Sequence, residues 1–403
     1  MPSNKNQHYV PQFLLRYFSP NGRSIGVFLN KSKKIIQHVS IKDQCSKDYL
    51  YGNDENEKML SSLEGEFKLL IEKIITIETP PSRFSPEHSF LLQFLTLQRA
   101  RTLGAASIID DMTKKFGEII IPIIGRGIIT EEEAKEFELV PEDPVLQSMM
   151  TLLPMWPLLW DLDFRLIKNE TTEGFVLSDD PVVFYNKYLE KGGPGKYGML
   201  SVGLQIYISL TPRYSLLFFD SNIYSCDSSA SKINIANNID IVNLNSLSVI
   251  NSQNTCYFDH RYSSEKYLKK LIGPLLRARP TSRVDVNRYD EFAPLDTCVG
   301  EAFNKAELKT KVEKNPQKGT FIVHNRVVQN IDLHLSFIKI KKSAVRTLPE
   351  FLAKVGVRNE YMHRMLLNFR KRVEAGDYPH SAFFDYLISQ NNAGQVNAQF
   401  PFR

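Results

Sequence analysis

Asp179 and Asp180 stand side by side between Ser178 and Pro181. Pro181 disfavours helix at the preceding residue and pushes Asp180 into extended geometry. A carboxylate pair at a strand end can hold a divalent cation, or divide acid and base work in a hydrolysis. The same residue types also fix a hairpin corner through an Asx-turn. Gln98 and Arg101 form a second group. Leu91, Phe94, Gln98 and Arg101 follow helical spacing, which turns an amide and a guanidinium toward the apolar stripe. A buried guanidinium needs an anion or several acceptors. Its partner is either a carboxylate of the chain, Glu64 or Asp179, or the phosphate or carboxylate of a substrate. His8 and Gln12, four apart, complete the set. His8 could act as base or donor, or cap a helix.

A third group lies near the C-terminus. Arg358-Asn359-Glu360-Tyr361-Met362-His363 matches the R-polar-xxx-H pattern of HEPN-type ribonucleases, which cleave RNA without metal through paired arginine and histidine. The same stretch resembles a helix-turn-helix, with Phe351, Val355, Gly356, Val357, Met362 and Met365 at apolar and turn positions. Leu352 stands where that motif prefers a small residue. In the second reading Arg358, Asn359 and His363 face DNA, with Arg364 and Arg370 on the same basic helix. Plain helical packing uses the same residues. Charge supports an acidic partner: residues 301–403 hold 17 Lys+Arg against 9 Asp+Glu, leaving 33 against 36 of the chain's 50 and 45 for the rest. Nucleic acid or a nucleotide is the usual such partner, and a solvated basic surface is the alternative.

Several chemistries are excluded. Gly192-Gly193-Pro194-Gly195-Lys196 is followed by Tyr197 instead of Ser or Thr, and lacks the upstream glycine of a Walker loop. GxSxG, HExxH and GxGxxG are absent. Cys45, Cys226, Cys256 and Cys298 form no CxxC pair, which argues against a zinc finger and fits a reducing compartment. The apolar runs Ile119–Ile124 and Met149–Trp160 are far shorter than the roughly 20 residues that span a bilayer. No apolar signal core opens the chain, so a cytoplasmic protein with no membrane partner is expected.

The elements that must position these residues are legible in outline. Residues 8–18 suggest a short helix entered through Pro11. Strands are expected at 24–29 and 34–39. Leu60, Leu63, Phe67, Leu70, Ile71 and Ile74 mark a helix over 57–77. Ser85-Pro86 opens another, whose apolar stripe continues to about Ile121. Strands follow at 164–168, 174–177, 182–185, 204–210 and 215–219, then helices at 235–251 and 264–276. Residues 320–328 and 333–341 read as a β-pair, ahead of a helical tail from Leu348 to about Ser389. The expected class is α+β. Its parts are a body over 1–280, a polar linker over 281–318 and a basic module over 319–403, built of a β-pair plus helices.

His8-Tyr9-Val10-Pro11-Gln12, with Leu15, Arg16 and Phe18, resembles the family called domain of unknown function 4238. So do Gln98 and Arg101, Ser178-Asp179-Asp180-Pro181, Leu210-Thr211-Pro212 and Asn245. The resemblance covers about residues 7–265. It departs at Asp180, where the family usually has Asn, and the C-terminal 100 or so residues lie outside it. The family carries no established biochemistry. Some members look like parts of bacterial anti-phage or toxin loci, which implies a defence-type or toxin-like protein. Taken together, the expectation is a protein acting on nucleic acid or a nucleotide, with hydrolysis by a nuclease the easiest chemistry to draw. His8 or Asp179 would activate water, with a divalent cation at Asp179 and Asp180. Arg101 and Gln98 would stabilise developing charge, and Gln12, Arg16, Ser178 and Asn245 would bind substrate. The alternative is a non-catalytic sensor or scaffold, in which the same residues form a structural network and the tail recruits nucleic acid or a protein from a neighbouring gene.

Overall fold

The computed structural model describes residues 6–51, 54–124, 130–134, 136–190, 197–227, 229–277, 284–289, 320–325, 331–344, 358, 360–378 and 386. The first half holds β1 (Asn6–His8), α1 (Gln12–Tyr17), β2 (Ser24–Leu29), β3 (Lys34–Ser40), β4 (Ser46–Asp48), α2 (Asp54–Ile77), α3 (Pro86–Ala100), α4 (Leu103–Ile124), α5 (Glu131–Ala134) and α6 (Pro144–Leu152). A 3-10 turn over Leu153–Leu159 leads into β5 (Asp163–Asn169), β6 (Leu177–Ser178), β7 (Val183–Tyr185), β8 (Gln205–Ser209) and β9 (Tyr214–Phe219). Then come β10 (Tyr224–Cys226), β11 (Lys232–Ile235), α7 (Asn238–Asn251), β12 (Thr255–Phe258), α8 (Glu265–Arg277), β13 (Val284–Tyr289), β14 (Thr320–Asn325), β15 (Ile338–Ile340) and α9 (Glu360–Glu374). The class is α+β.

Two sheets organise the body. One runs β11-β5-β9-β8-β7, the other β3-β2-β12-β6. Every residue of β8 is buried, its polar ends Gln205 and Ser209 included, so this strand is covered on both faces. Residues 179–182 carry the chain from β6 in the smaller sheet to β7 in the larger one. The Ser-Asp-Asp-Pro segment is therefore a crossing between sheets and not a hairpin corner.

The long helix expected from Ser85 is two helices. Ser85 caps α3 by accepting from the His88 N–H at 3.1 Å. The helix ends at Arg101, and Thr102 starts α4, its hydroxyl accepting from the Ala105 N–H at 3.2 Å. A side-chain cap in mid-stripe breaks the helix although the apolar spacing runs on. Two strand expectations are also corrected. Ile235 ends a strand instead of starting a helix. Residues 320–325 pair with 284–289, while 338–340 pair with Tyr224–Cys226.

Residues beyond 331 share the body's core. Leu333, Leu335, Phe337, Ile338, Met365, Leu366 and Phe369 belong to the same apolar cluster as Phe164 and Phe218. The strap over 331–344 is tied down by polar contacts too. The Ser336 N–H donates to Asp240 at 2.8 Å and the Tyr188 hydroxyl to the Ala344 carbonyl at 2.9 Å. The polar stretch 290–318 lies outside the described residues. Among the described residues, no helix is long and apolar enough to cross a membrane.

Candidate functional site

The N-terminal motif builds a ladder on α1. Pro11 sits at the helix entry, and Gln12 and Arg16 are spaced one turn apart beyond His8. The Arg16 guanidinium donates to Oε1 of Gln12 at 2.6 Å, which fixes the amide so that its nitrogen faces Nε2 of His8 at 3.3 Å. The same His8 nitrogen lies 3.1 Å from the Lys42 carbonyl. These neighbours ask for opposite tautomers, since the carbonyl needs a donor and the amide N–H an acceptor. Burial pushes the His8 pKa down, opposed first by the bond to the Lys42 carbonyl. The charges of Glu64, Arg101 and Arg16 also act on the ring. The imidazole is therefore neutral at neutral pH.

Behind the ladder, Arg101 is 1% exposed. Its Nε donates to Oε1 of the Gln98 side chain at 3.0 Å and its Nη1 to Glu64 at 2.6 Å. The Gln98 amide passes on to the Tyr9 carbonyl at 2.9 Å. The guanidinium thus finds its anion inside the chain, on α2. Arg101 and Asp179 form no pair. Tyr9 is a neighbour of both groups: its carbonyl accepts from Gln98, and Asp179 and Cys45 act electrostatically on its phenol.

Asp179 is held by three successive backbone N–H groups at the turn from α7 to β12. Oδ1 accepts from Gln253 at 2.6 Å, and Oδ2 from Asn254 at 2.7 Å and Thr255 at 3.2 Å. Burial pushes its pKa up to about 6, and the backbone donors oppose the rise. Asp180 does a different task at the start of α4. It accepts from the Thr102 hydroxyl at 3.2 Å, and Arg99 lies 3.5 Å away. A Cβ on Gly104 would come within 2.3 Å of Asp180, so the close approach of carboxylate to helix start requires glycine there. Donors surround both carboxylates where a cation would need further oxygens. Among the described residues, no group of three or more His, Cys, Asp and Glu is placed to hold a metal. Asp179 and Asp180, the expected metal pair, both accept hydrogen bonds from the chain itself.

The other expected substrate residues are also engaged within the chain. The Ser178 hydroxyl donates to the Asp180 carbonyl at 2.6 Å. Asn245 accepts from the Val176 N–H at 2.9 Å and donates to the Gly174 carbonyl at 2.9 Å, stitching α7 to the strand before the crossing. Sequence reasoning missed Arg99 and Thr102. Arg99, one residue from Gln98, points away from the Arg101 face, and only the fold reveals its carboxylate.

The C-terminal candidates divide sharply. Arg358 is 1% exposed in its side chain. It holds Asp161 at 2.8 and 3.1 Å, the Leu158 carbonyl at 2.8 Å and the Ser201 carbonyl at 3.0 Å. That corrects its assignment to DNA or to an RNA-cleaving pair, because its donors are committed to the body. Asn359 and the side chain of His363 lie outside the described residues. Arg364 and Arg370 are exposed on α9, together with Asn368, Lys371 and Arg372.

A family profile described as Protein of unknown function (DUF4238) matches residues 6–261, more than half of the chain. The chain belongs to this family. The DUF4238 region contains the His8 ladder, the Arg101–Glu64 pair and the Asp179 nest, and ends before α8. It excludes α9. No curated protein and no solved structure matches the chain.

Proposed function

We propose that this DUF4238 protein is a cytoplasmic nucleic-acid-binding protein of the defence or toxin type. Its family body is a scaffold, and α9 presents the binding surface. The supporting observation is the division of α9: Met365, Leu366 and Phe369 are buried in the common core, while Arg364, Arg370, Lys371 and Arg372 face solvent. Arg358, two residues before α9, is anchored to Asp161 and to the Leu158 and Ser201 carbonyls. Solvent-facing cations on a rigid helix gain most from a polyanion, whose bound counterions they release. Titration of the full-length protein with labelled duplex and single-stranded oligonucleotides tests this. Binding should be firm at low salt and weaken log-linearly with salt, by about 0.7–0.9 per phosphate contact. No binding at low salt sinks the reading.

A hydrolytic reading is favoured by one observation, the neutral, half-buried His8 ring with two competing partners beside Glu64 and Arg101. Arg101→Gln, Glu64→Gln and the double variant separate the two. A hydrolase loses cleavage in the singles, keeps near-normal melting, and is not rescued in the double. For a scaffold, Arg101→Gln should cost about 3–5 kcal/mol of stability, with part of it recovered in the double.

A further inference from the structure

The C-terminal helix carries rings as well as charge. Arg364, Asn368 and Arg372 recur every fourth residue and Lys371 lies seven beyond Arg364, so the four share one flank of α9. All four are exposed. From Arg364 to Arg372 the flank is about 12 Å long at ~1.5 Å per residue. At its end the helix closes in a Schellman motif. Gly376 takes φ 83°, its N–H donates to the Val373 carbonyl at 3.0 Å, and the Asp377 N–H donates to the Arg372 carbonyl at 2.8 Å. The turn brings Tyr378 back beside Arg372. The guanidinium carbon of Arg372 lies 6.0 Å from the Tyr378 ring centre and 5.9 Å from that of Tyr386. Tyr386 and Phe369 are buried, and their ring centres stand 5.5 and 6.2 Å from Tyr378. They support Tyr378, which is itself half-buried beside the exposed Arg372.

We propose that this flank binds single-stranded nucleic acid, with phosphates along Arg364 and Lys371 and a base stacked at Tyr378 and Arg372. The proposal rests on the nucleic-acid reading of α9 and narrows it. A duplex hides its base faces inside the stack, so an aromatic ring and a guanidinium plane at the end of a cationic stripe add little to duplex binding. A single strand offers both phosphates and free base faces. Stacking is sequence-tolerant because every base has such a face.

The test uses the full chain with Tyr378→Leu, Tyr378→Phe and Arg372→Gln. Each is titrated with single-stranded oligonucleotides of about 16 nucleotides, the upper site size of a small binding module, and with a matched duplex. Tyr378→Leu keeps apolar contact with Phe369 but removes the ring. It should weaken single-strand binding on the order of 10-fold and leave duplex binding unchanged, while Tyr378→Phe binds like the parent. Arg372→Gln, at an exposed site, should lose more affinity for the single strand than for the duplex, and stands in if Tyr378→Leu proves unstable on melting. Equal losses on both probes, or no loss on the single strand with both variants, overturn the proposal and leave the polyanion reading standing. If neither probe binds the parent at low salt, both readings fall.

Discussion

Arg101 in the family body and Arg372 on the C-terminal helix are the same side chain in opposite circumstances. Arg101 is buried and meets Glu64 and Gln98. Arg372 is exposed and meets two tyrosine rings. Inside the body every suspicious polar residue has an internal counterpart, as buried polar groups must: Asp179 a row of N–H groups, Asp180 the Arg99–Thr102 corner, Asn245 the backbone before the crossing. On α9 Arg364, Arg370, Lys371 and Arg372 are exposed. Polar residues in an apolar stripe announce a network. Whether the network ends inside the chain or at a ligand depends on partners distant in sequence.

Arg358 belongs to the first region although it sits in the second, and it should give the largest effect. Arg358→Gln strands the Asp161 carboxylate and the Leu158 and Ser201 carbonyls and should cost about 3–5 kcal/mol, seen in urea unfolding. Unfolding like that of the parent would break the comparison, by showing the residue free for a ligand.

Asp179 should give a smaller, pH-dependent effect. Its folded pKa, about 6, lies above the ordinary 3.8, so the native state keeps a proton that the unfolded chain has released. The stability this contributes is full below about pH 4 and is lost as pH rises through 6. Subtracting the melting profile of Asp179→Asn from that of the parent should reveal this fall between the two values. A flat difference would mean that the three N–H donors cancel the effect of burial.

Much of the frame was readable in advance, because it rests on local periodicity. The α2 stripe from Leu60 to Ile74, the Ser85-Pro86 helix start and the strands expected at 24–29 and 215–219 follow from spacing and caps. So does the inward turn of Gln98 and Arg101, and Glu64 is one of two carboxylates that the sequence offers Arg101. What could not be read depends on long-range pairing. The three-residue strands β1, β4, β10 and β15 are too short to show a period. The break at Arg101–Thr102 depends on a threonine cap and on Asp180, 78 positions away. The Asp-Asp segment looks the same in sequence whether it binds a metal or crosses between sheets. Arg358 reads as a recognition residue until Asp161 is seen beneath it.

The smallest change in stability accompanies the most direct test. Lys371→Gln alters an exposed side chain and should shift stability by no more than about 0.5 kcal/mol. Measured as the slope of log affinity against log salt on a single strand, the account predicts that this variant loses about 0.7 from the parent slope, one phosphate contact. A slope identical to the parent's, with the protein fully folded, would contradict the claim that α9 is the binding surface.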